Sequence, residues 1–335
     1  MLPTTIGPAR PRLLVADDSP QILESVVGFL ATRFEVVATA TNGREAVDLT
    51  LRLRPDVAVL DIGMPELDGF QVVQELRRNG AQTRAVFMTI HQDDGFVAAA
   101  VECGVHGYVL KSRFHTALIS AIKHALAGRL FVPSLTALST VGGSSRHAVQ
   151  IHLNDRVFLD EVGEFVNATL RSGEPVVLVT SEATRDGVAQ RLKGRGMDLE
   201  KLVARGQYVT MDSAQALSQI MRDGRPDQDA LADIVDGLDR SRLAYSQGPA
   251  RRITVFGDIN VSLCRNGNIE AAIEIEHIWN DLTRTLPIFT VCSYPVQCFQ
   301  HDGARTLFPG VCATHSAVTH TAGRDWARFP DQAAM

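Results

Sequence analysis

The stretch RLLVADDSP, residues 12–20, decides how the chain is read. A short apolar run ends on two acids. Ser19 then offers an N-cap, and Pro20 suits the first helical position. Three more runs repeat the pattern: DVAVLD at 56–61, RAVFMT at 84–89 and HGYVLK at 106–111. Each is short and apolar enough for a buried strand, and each leads into a helical segment. Gly43 and Gly69 open two of the helices and Gly128 closes the fifth. Five strands alternating with five helices predict a parallel sheet covered on both faces. In the strand order 2-1-3-4-5, Asp17, Asp18, Asp61, Thr89 and Lys111 converge at the carboxyl edge, where open sheets of this kind bind ligands.

That grouping carries chemistry. Three carboxylates in one crevice repel one another, so a hard divalent cation such as Mg2+ is implied. Asp61 then reads as a nucleophile toward phosphorus, giving an acyl phosphate. The cation and the Lys111 ammonium offset charge on the phosphoryl oxygens. The Thr89 hydroxyl is placed to donate a hydrogen bond to the new group. Movement of Thr89 and of the Tyr108 ring carries the change to a distant surface.

These residues resemble the receiver domain of two-component response regulators, a flavodoxin-like (βα)5 fold. The resemblance covers residues 10–128 and rests on VADDS at 15–19, LDIGMPELDG at 60–69, MTIH at 88–91 and GYVLKS at 107–112. It implies Asp61 as phosphoacceptor, and Asp17, Asp18, Asp61 and the Gly63 carbonyl as the Mg2+ site. Thr89, Lys111 and Tyr108 become the phosphoryl-contacting and switch residues. The implied partner is a sensor histidine kinase or a phosphotransfer protein. Ile90 is bulkier than the residue that usually follows the Thr, which would narrow phosphoryl access. Ser112 stands where a Pro often follows the Lys.

Composition bounds the rest. A length of 335 residues suggests about two domains. No apolar stretch reaches the roughly 18 residues a membrane span needs, and the N-terminal MLPTTIGPARP lacks the apolar core of a signal peptide. Five cysteines without a CxxC pattern read as reduced thiols in a cytoplasm. A net charge of -5 and the lack of a basic block give no footprint for nucleic acid, so no DNA contact is expected. A homodimer is compatible with the chain. Residues 129–146, with SLTALSTVGGSSR, read as a linker, and 321–335 as a C-terminal tail.

Residues 147–320 read as a second, mostly parallel α/β domain. Strands are expected at 148–153, 175–180, 208–211, 252–256 and 287–292, and helices at 155–171, 182–193, 213–222, 229–245 and 268–286. The strand ends supply Glu182, Asp212, Asp258, Cys292 and Tyr294 as a candidate pocket. For the acids the alternative is a helix cap, which fits Asp212 before Ser213 especially well. Glu276 falls within the arc of Ile269, Ala272, Ile273 and Trp279, while Glu270, Glu274 and Asp281 face the other way. A carboxylate among apolar neighbours needs a partner. It serves either a structural ion pair with an Arg or a ligand. His147, Cys312 and His315 are metal-ligating types, but their spacing matches no metal signature. Core packing for Cys312 and surface or capping roles for the histidines are expected instead. Trp279 reads as helix core.

This half resembles the MEDS sensory domain, named for methanogens, methylotrophs and a dichloromethane-response regulator. The resemblance is carried by HAVQIHLND at 147–155, SGEPVVLVT at 172–180, RGQYVTMDSAQAL at 205–217 and MRDGRPD at 221–227. It continues through FGD at 256–258, GNIEAAIEIEHIWNDL at 267–282, CSYP at 292–295 and CATH at 312–315. It implies a RecA-like fold and the sensing of a small ligand such as a hydrocarbon derivative. Departures fall at His152, Asp258, Ile259 and Cys264, where the family usually has Tyr, Glu, Met and Trp. PVVLVT is followed by SEATRDG, so no GxxxxGK[ST] phosphate loop is present and ATP hydrolysis is not expected. The reading is a phosphorylation-switched sensory or protein-interaction module. The alternatives are a phosphorylation-controlled enzyme or nucleotide-binding module using Asp258 and Glu276, and a DNA-binding regulator.

Overall fold

The computed structural model describes residues 10–91, 94–140, 147–152, 155–245, 252–299 and 307–320. The chain divides into two units, Met1–Pro133 and Ser134–Met335.

The first unit alternates β1 (Arg12–Ala16), α1 (Pro20–Leu30), β2 (Glu35–Ala40), α2 (Gly43–Leu53), β3 (Val57–Leu60) and α3 (Gly69–Arg78). It continues with β4 (Arg84–Thr89), α4 (Asp94–Cys103), β5 (Gly107–Leu110), α5 (Phe114–Leu126) and β6 (Leu130–Val132). All strands run parallel in the order β2-β1-β3-β4-β5-β6. β3 and β5 are buried at every position, as continuous apolar runs between two helical layers must be. On one face Val15, Val59 and Met88 pack against Leu30 of α1 and Leu118 and Ile122 of α5. The helix starts are set locally. Ser19 and Asn42 cap α1 and α2, and Asp68 and Gln71 form a capping box on α3.

The reading of 129–146 as a linker needs correction. Leu130–Val132 forms β6, where Phe131 N–H donates to the His106 carbonyl at 2.9 Å. Leu135–Thr140 forms a helix, α6, which belongs to the second unit. The Ser, Thr and Gly content of the stretch as a whole masked a three-residue apolar strand at its start. Residues 141–146 and the tail 321–335 lie outside the described residues.

After α6 the second unit runs β7 (His147–His152), α7 (Asp155–Arg171), β8 (Val176–Thr180), α8 (Glu182–Gly194), α9 (Leu199–Ala204), β9 (Tyr208–Asp212) and α10 (Ser213–Ile220). Then come β10 (Met221–Arg222), β11 (Arg225–Pro226), α11 (Gln228–Tyr245), β12 (Ile253–Gly257), α12 (Asn260–Arg265), α13 (Ile269–Thr283), β13 (Ile288–Pro295), α14 (Leu307–Thr314) and β14 (Ala317–His320). Its main sheet is parallel, in the order β14-β7-β13-β12-β8-β9. Both halves therefore adopt the parallel α/β architecture expected. The sequence reading did not include α9, α12, α14, β14 or the β10–β11 hairpin. All are eight residues or shorter, too short for periodicity to register. The hairpin turns through Asp223 and Gly224, both at positive φ (50° and 81°), a conformation that an Asp-Gly pair supplies.

Candidate functional site

The receiver-like crevice is assembled by strand register. β1 and β3 pair Ala16 with Leu60, so Asp17 and Asp61 leave the sheet side by side. Asp61 N–H donates to the Ala16 carbonyl at 2.8 Å, fixing that juxtaposition. β4 and β5 pair Thr89 with Leu110, which places Lys111 beside Thr89. The Lys111 ammonium lies 2.7 Å from Asp17 Oδ2 and 3.0 Å from Asp61 Oδ2. Burial works against its charge, but the hydrogen bonds to Asp17 and Asp61 together outweigh burial and hold its pKa above the usual lysine value. Burial raises the Asp17 carboxyl pKa, offset only in part by Lys111 and the Ser19 N–H.

Asp17, Asp18 and Asp61 bring carboxylate oxygens within 4.8 Å of one another; Asp18 is exposed and the other two are buried. Three acids against one ammonium leave an excess of negative charge, and the donors are all oxygen. That set suits Mg2+. Gly63 stands beside the carboxylate: a Cβ there would meet Asp61 Oδ2 at 3.8 Å. Gly69 is packed so closely that a Cβ would fall 2.6 Å from the Asp61 carbonyl oxygen, so only glycine lets this loop fold back under Asp61. Thr89 is buried, and its Oγ1 accepts from His91 N–H at 3.3 Å. Tyr108 is fully buried, its hydroxyl donating to the His91 carbonyl at 3.0 Å. Ile90 is 72% exposed, so its bulk faces solvent instead of closing the crevice.

In the second unit, a cavity of about 80 Å³ lies between one face of the sheet and helices α10, α11 and α13. Apolar side chains such as Val177, Val255, Leu231 and Ile234 form most of its wall. Its polar pole is Asn260, Glu276, Cys292 and Tyr294, with Asp258 at the carboxyl end of β12. Glu276 is 1% exposed. Its Oε1 accepts from Asn260 Nδ2 at 2.8 Å and from the Tyr294 hydroxyl. Its Oε2 faces His147 Nε2 at 3.3 Å, Cys292 Sγ at 3.4 Å and His315 Nε2 at 3.5 Å. Burial opposes its charge, but His315, His147 and Tyr294 prevail and hold the carboxyl below the usual glutamate range. Burial, reinforced by Glu276, pushes the Cys292 thiol and the Tyr294 phenol well up.

Comparison with known proteins matches both halves. A family model described as "Response regulator receiver domain" covers residues 13–123. A second, "MEDS: MEthanogen/methylotroph, DcmR Sensory domain", covers residues 146–320, more than half the chain. The chain belongs to the MEDS family. Residues 13–123 are a response regulator receiver domain. Among curated relatives, the "Uncharacterized transcriptional regulatory protein YvfU" of Bacillus subtilis (strain 168) is 35% identical over 128 residues, 37% of this chain and 64% of that protein. The "Probable transcriptional regulatory protein NarL" of Mycobacterium tuberculosis (strain ATCC 25618 / H37Rv) is 34% identical over 138 residues, 41% of this chain and 62% of that protein. The chain thus spans less than two thirds of either relative. Among solved structures, the signal receiver domain of the putative response regulator NarL from Mycobacterium tuberculosis is 34% identical. It covers 36% of this chain and 100% of that one, with a TM-score of 0.35.

Within the MEDS domain the expected pocket residues separate. Asp258, Glu276, Cys292 and Tyr294 line the cavity together. Glu182 and Asp212 are not among its lining residues. Glu182 is exposed in the first turn of α8. Asp212 caps α10, accepting from Ala214 and Gln215 N–H at 3.0 Å, and pairs with Arg185 at 2.9 Å. Both acids sit where a helix follows a strand, but only Asp212 takes the capping alternative; the cap of α8 is Ser181. The partner expected for Glu276 was an Arg; the structure supplies two histidines. The surface or capping role expected for His147 and His315 is likewise corrected, since both are 2% exposed. The side chain of Cys312 lies outside the described residues. Trp279 lines the cavity, and its Nε1–H donates to Thr290 Oγ1 at 2.9 Å. His152 stacks on Phe158 with ring centroids 3.9 Å apart, and burial pushes its pKa down to about 4, so the ring fills an aromatic slot uncharged. The one signal that could have found Asn260 is its place two residues beyond the FGD stretch.

Proposed function

We propose that this chain is a phosphorylation-driven switch in which Asp61 accepts a phosphoryl group from a histidine kinase or phosphotransfer protein. The observation that carries the reading is the Lys111 ammonium, 2.7 Å from Asp17 and 3.0 Å from Asp61. Asp17, Asp18, Asp61 and the Gly63 carbonyl would hold Mg2+, which when bound supplies charge compensation for phosphoryl oxygens. Asp61 is the nucleophile, Lys111 holds the acceptor carboxylate in place, and Thr89 is the hydroxyl donor to the new group. A small phosphodonor such as acetyl phosphate tests this. Full-length protein is expected to gain one phosphoryl group with Mg2+ and none after chelation. Equal labelling without a divalent cation would count against the site.

The MEDS half we read as the sensor of a small, mostly apolar molecule. A volume of about 80 Å³ is several times the roughly 10–15 Å³ that one water occupies on this measure. An apolar wall with one polar pole fixes orientation as well as burial. Trp279 is a built-in reporter, since the other tryptophan of the chain is Trp326. In a Trp326→Phe background, small chlorinated or oxygenated hydrocarbons are expected to change Trp279 emission saturably and to raise the melting temperature. A panel with no saturable response would sink the sensory reading.

An enzymatic output is less well supported. A general acid or base needs a pKa near the working pH, whereas Glu276 is held low by its histidine partners. Neither β7 nor β8 is followed by a phosphate-loop sequence. Relatives named as transcriptional regulators give no support to an exclusion of DNA. No helix among the described residues is long and apolar enough to cross a membrane. A cytoplasmic location is part of the proposal, since that is where a kinase would meet the receiver.

A further inference from the structure

We propose that His147, Glu276, Cys292 and His315 form a closed binding site for a divalent cation of the zinc class. The inference rests on this cluster alone and not on the reading of the cavity beside it. The four ligand atoms, two imidazole Nε2, one carboxylate oxygen and one sulfur, lie within 4.8 Å of one another. Four of the six separations are 3.2 Å (His147 to Cys292), 3.3 Å (His147 to Glu276), 3.4 Å (Cys292 to Glu276) and 3.5 Å (His315 to Glu276). Zinc bonded to nitrogen and oxygen near 2.0–2.1 Å and to sulfur near 2.3 Å would set tetrahedral edges of about 3.3–3.6 Å. Those four separations match the edges of such a site, and the other two lie within 4.8 Å.

Hydrogen bonding explains the arrangement less well. A carboxylate oxygen has about two lone-pair directions, yet three side chains converge on Glu276 Oε2. Two of them are imidazoles with ring centroids only 3.9 Å apart, so charging both would bring two like charges into contact. A cation resolves the balance. Two neutral imidazoles, one carboxylate and one thiolate neutralise a divalent ion, leaving no net charge in a buried site. The Cys292 S–H proton leaves to solvent as the metal–sulfur bond forms.

The surroundings of Glu276 and His315 also fit. Metal-binding side chains are oriented by partners on their far atoms. Glu276 Oε1 is held by Asn260 and Tyr294, which turns Oε2 toward the cluster. His315 Nδ1 lies 2.5 Å from the Val311 carbonyl, so Nδ1–H is held there, and Nε2, which faces Glu276, is the nitrogen that would bind the ion after giving up its proton. The ligands come from β7, α13, β13 and the turn between α14 and β14, so one ion would tie the middle of the sheet to its covering helix.

Full-length protein, reduced, stripped by a chelator and kept in excess Mg2+ to occupy the receiver carboxylates, is titrated with Co2+ and then Zn2+. One Co2+ per chain is expected, with visible bands of tetrahedral intensity and a thiolate-to-cobalt charge-transfer band, both lost on adding one equivalent of Zn2+. Cys292→Ser should remove the charge-transfer band, while Cys264→Ser should leave it. Asn260→Ala, which orients Glu276 without touching the ion, should weaken Zn2+ binding about 10–100-fold. A folded wild-type protein without the band overturns the proposal, as does a band undiminished in Cys292→Ser. Should that variant not fold, zinc-edge X-ray absorption of the wild-type protein decides: a shell of nitrogen and oxygen with one sulfur supports the site, and a shell lacking sulfur overturns it.

Discussion

Replacing Asp61 by Asn is expected to abolish phosphorylation of the full-length chain. With Mg2+ and a small phosphodonor, the wild-type protein should show one phosphoryl adduct by intact mass, and Asp61→Asn none. The effect should be all-or-none because the acyl phosphate bond is made by the carboxylate oxygen itself. An amide is nearly the same shape but offers no anionic oxygen to attack phosphorus. The neighbouring acids cannot substitute easily. Asp17 is fully buried and engaged by Lys111, and Asp18 is an exposed ligand-type residue on the rim. Neither takes Asp61's place at the end of β3, where its backbone is tied to Ala16 and its Oδ1 accepts from Ile62 N–H at 2.8 Å. An adduct of equal yield in the variant rules the assignment out.

This half of the molecule was legible because its chemistry sits at strand ends. An apolar run followed at once by a polar residue marks the carboxyl edge of a parallel sheet, and register does the rest. Asp17, Asp61, Thr89 and Lys111 needed no long-range information beyond strand order. The second site was legible only in part. Glu276 could be singled out from helix phase, and Cys292 and Tyr294 share a face of β13 because side chains alternate along a strand. Their partners could not be found that way. His147 opens β7 and His315 precedes β14, far apart in sequence and without a recognisable spacing. They meet because β7 lies between β13 and β14, a crossover that no local pattern encodes. Ser316 N–H donates to the His147 carbonyl at 2.8 Å, so sheet pairing itself brings the two histidines together. Glu182 and Asp212 failed for the opposite reason. Strand ends are also helix starts: Asp212 is satisfied there by the Ala214 and Gln215 N–H groups, and Glu182 stands exposed in the first turn of α8.

The second large effect is expected at Glu276. Truncation to Ala should destabilise the MEDS domain by about 3–5 kcal/mol, the usual cost of removing one member of a buried ion pair. The carboxylate is surrounded on both oxygens. Without it, the Asn260 amide, the Tyr294 hydroxyl and the imidazoles of His147 and His315 lose the acceptor on which they converge. Each stranded buried donor costs about 1–3 kcal/mol, so their common loss is large even after some relaxation. Glu276→Gln separates shape from charge. Its amide oxygen can still accept from Asn260 and Tyr294, so the loss should be smaller than for Ala, and the difference measures what the histidines draw from the charge. Urea unfolding of the full-length chain, followed by Trp279 emission in a Trp326→Phe background, reads the MEDS transition directly. A loss below about 1 kcal/mol for Glu276→Ala, the range of an exposed ion pair, would mean that this carboxylate is solvated and that the buried network does not exist in solution.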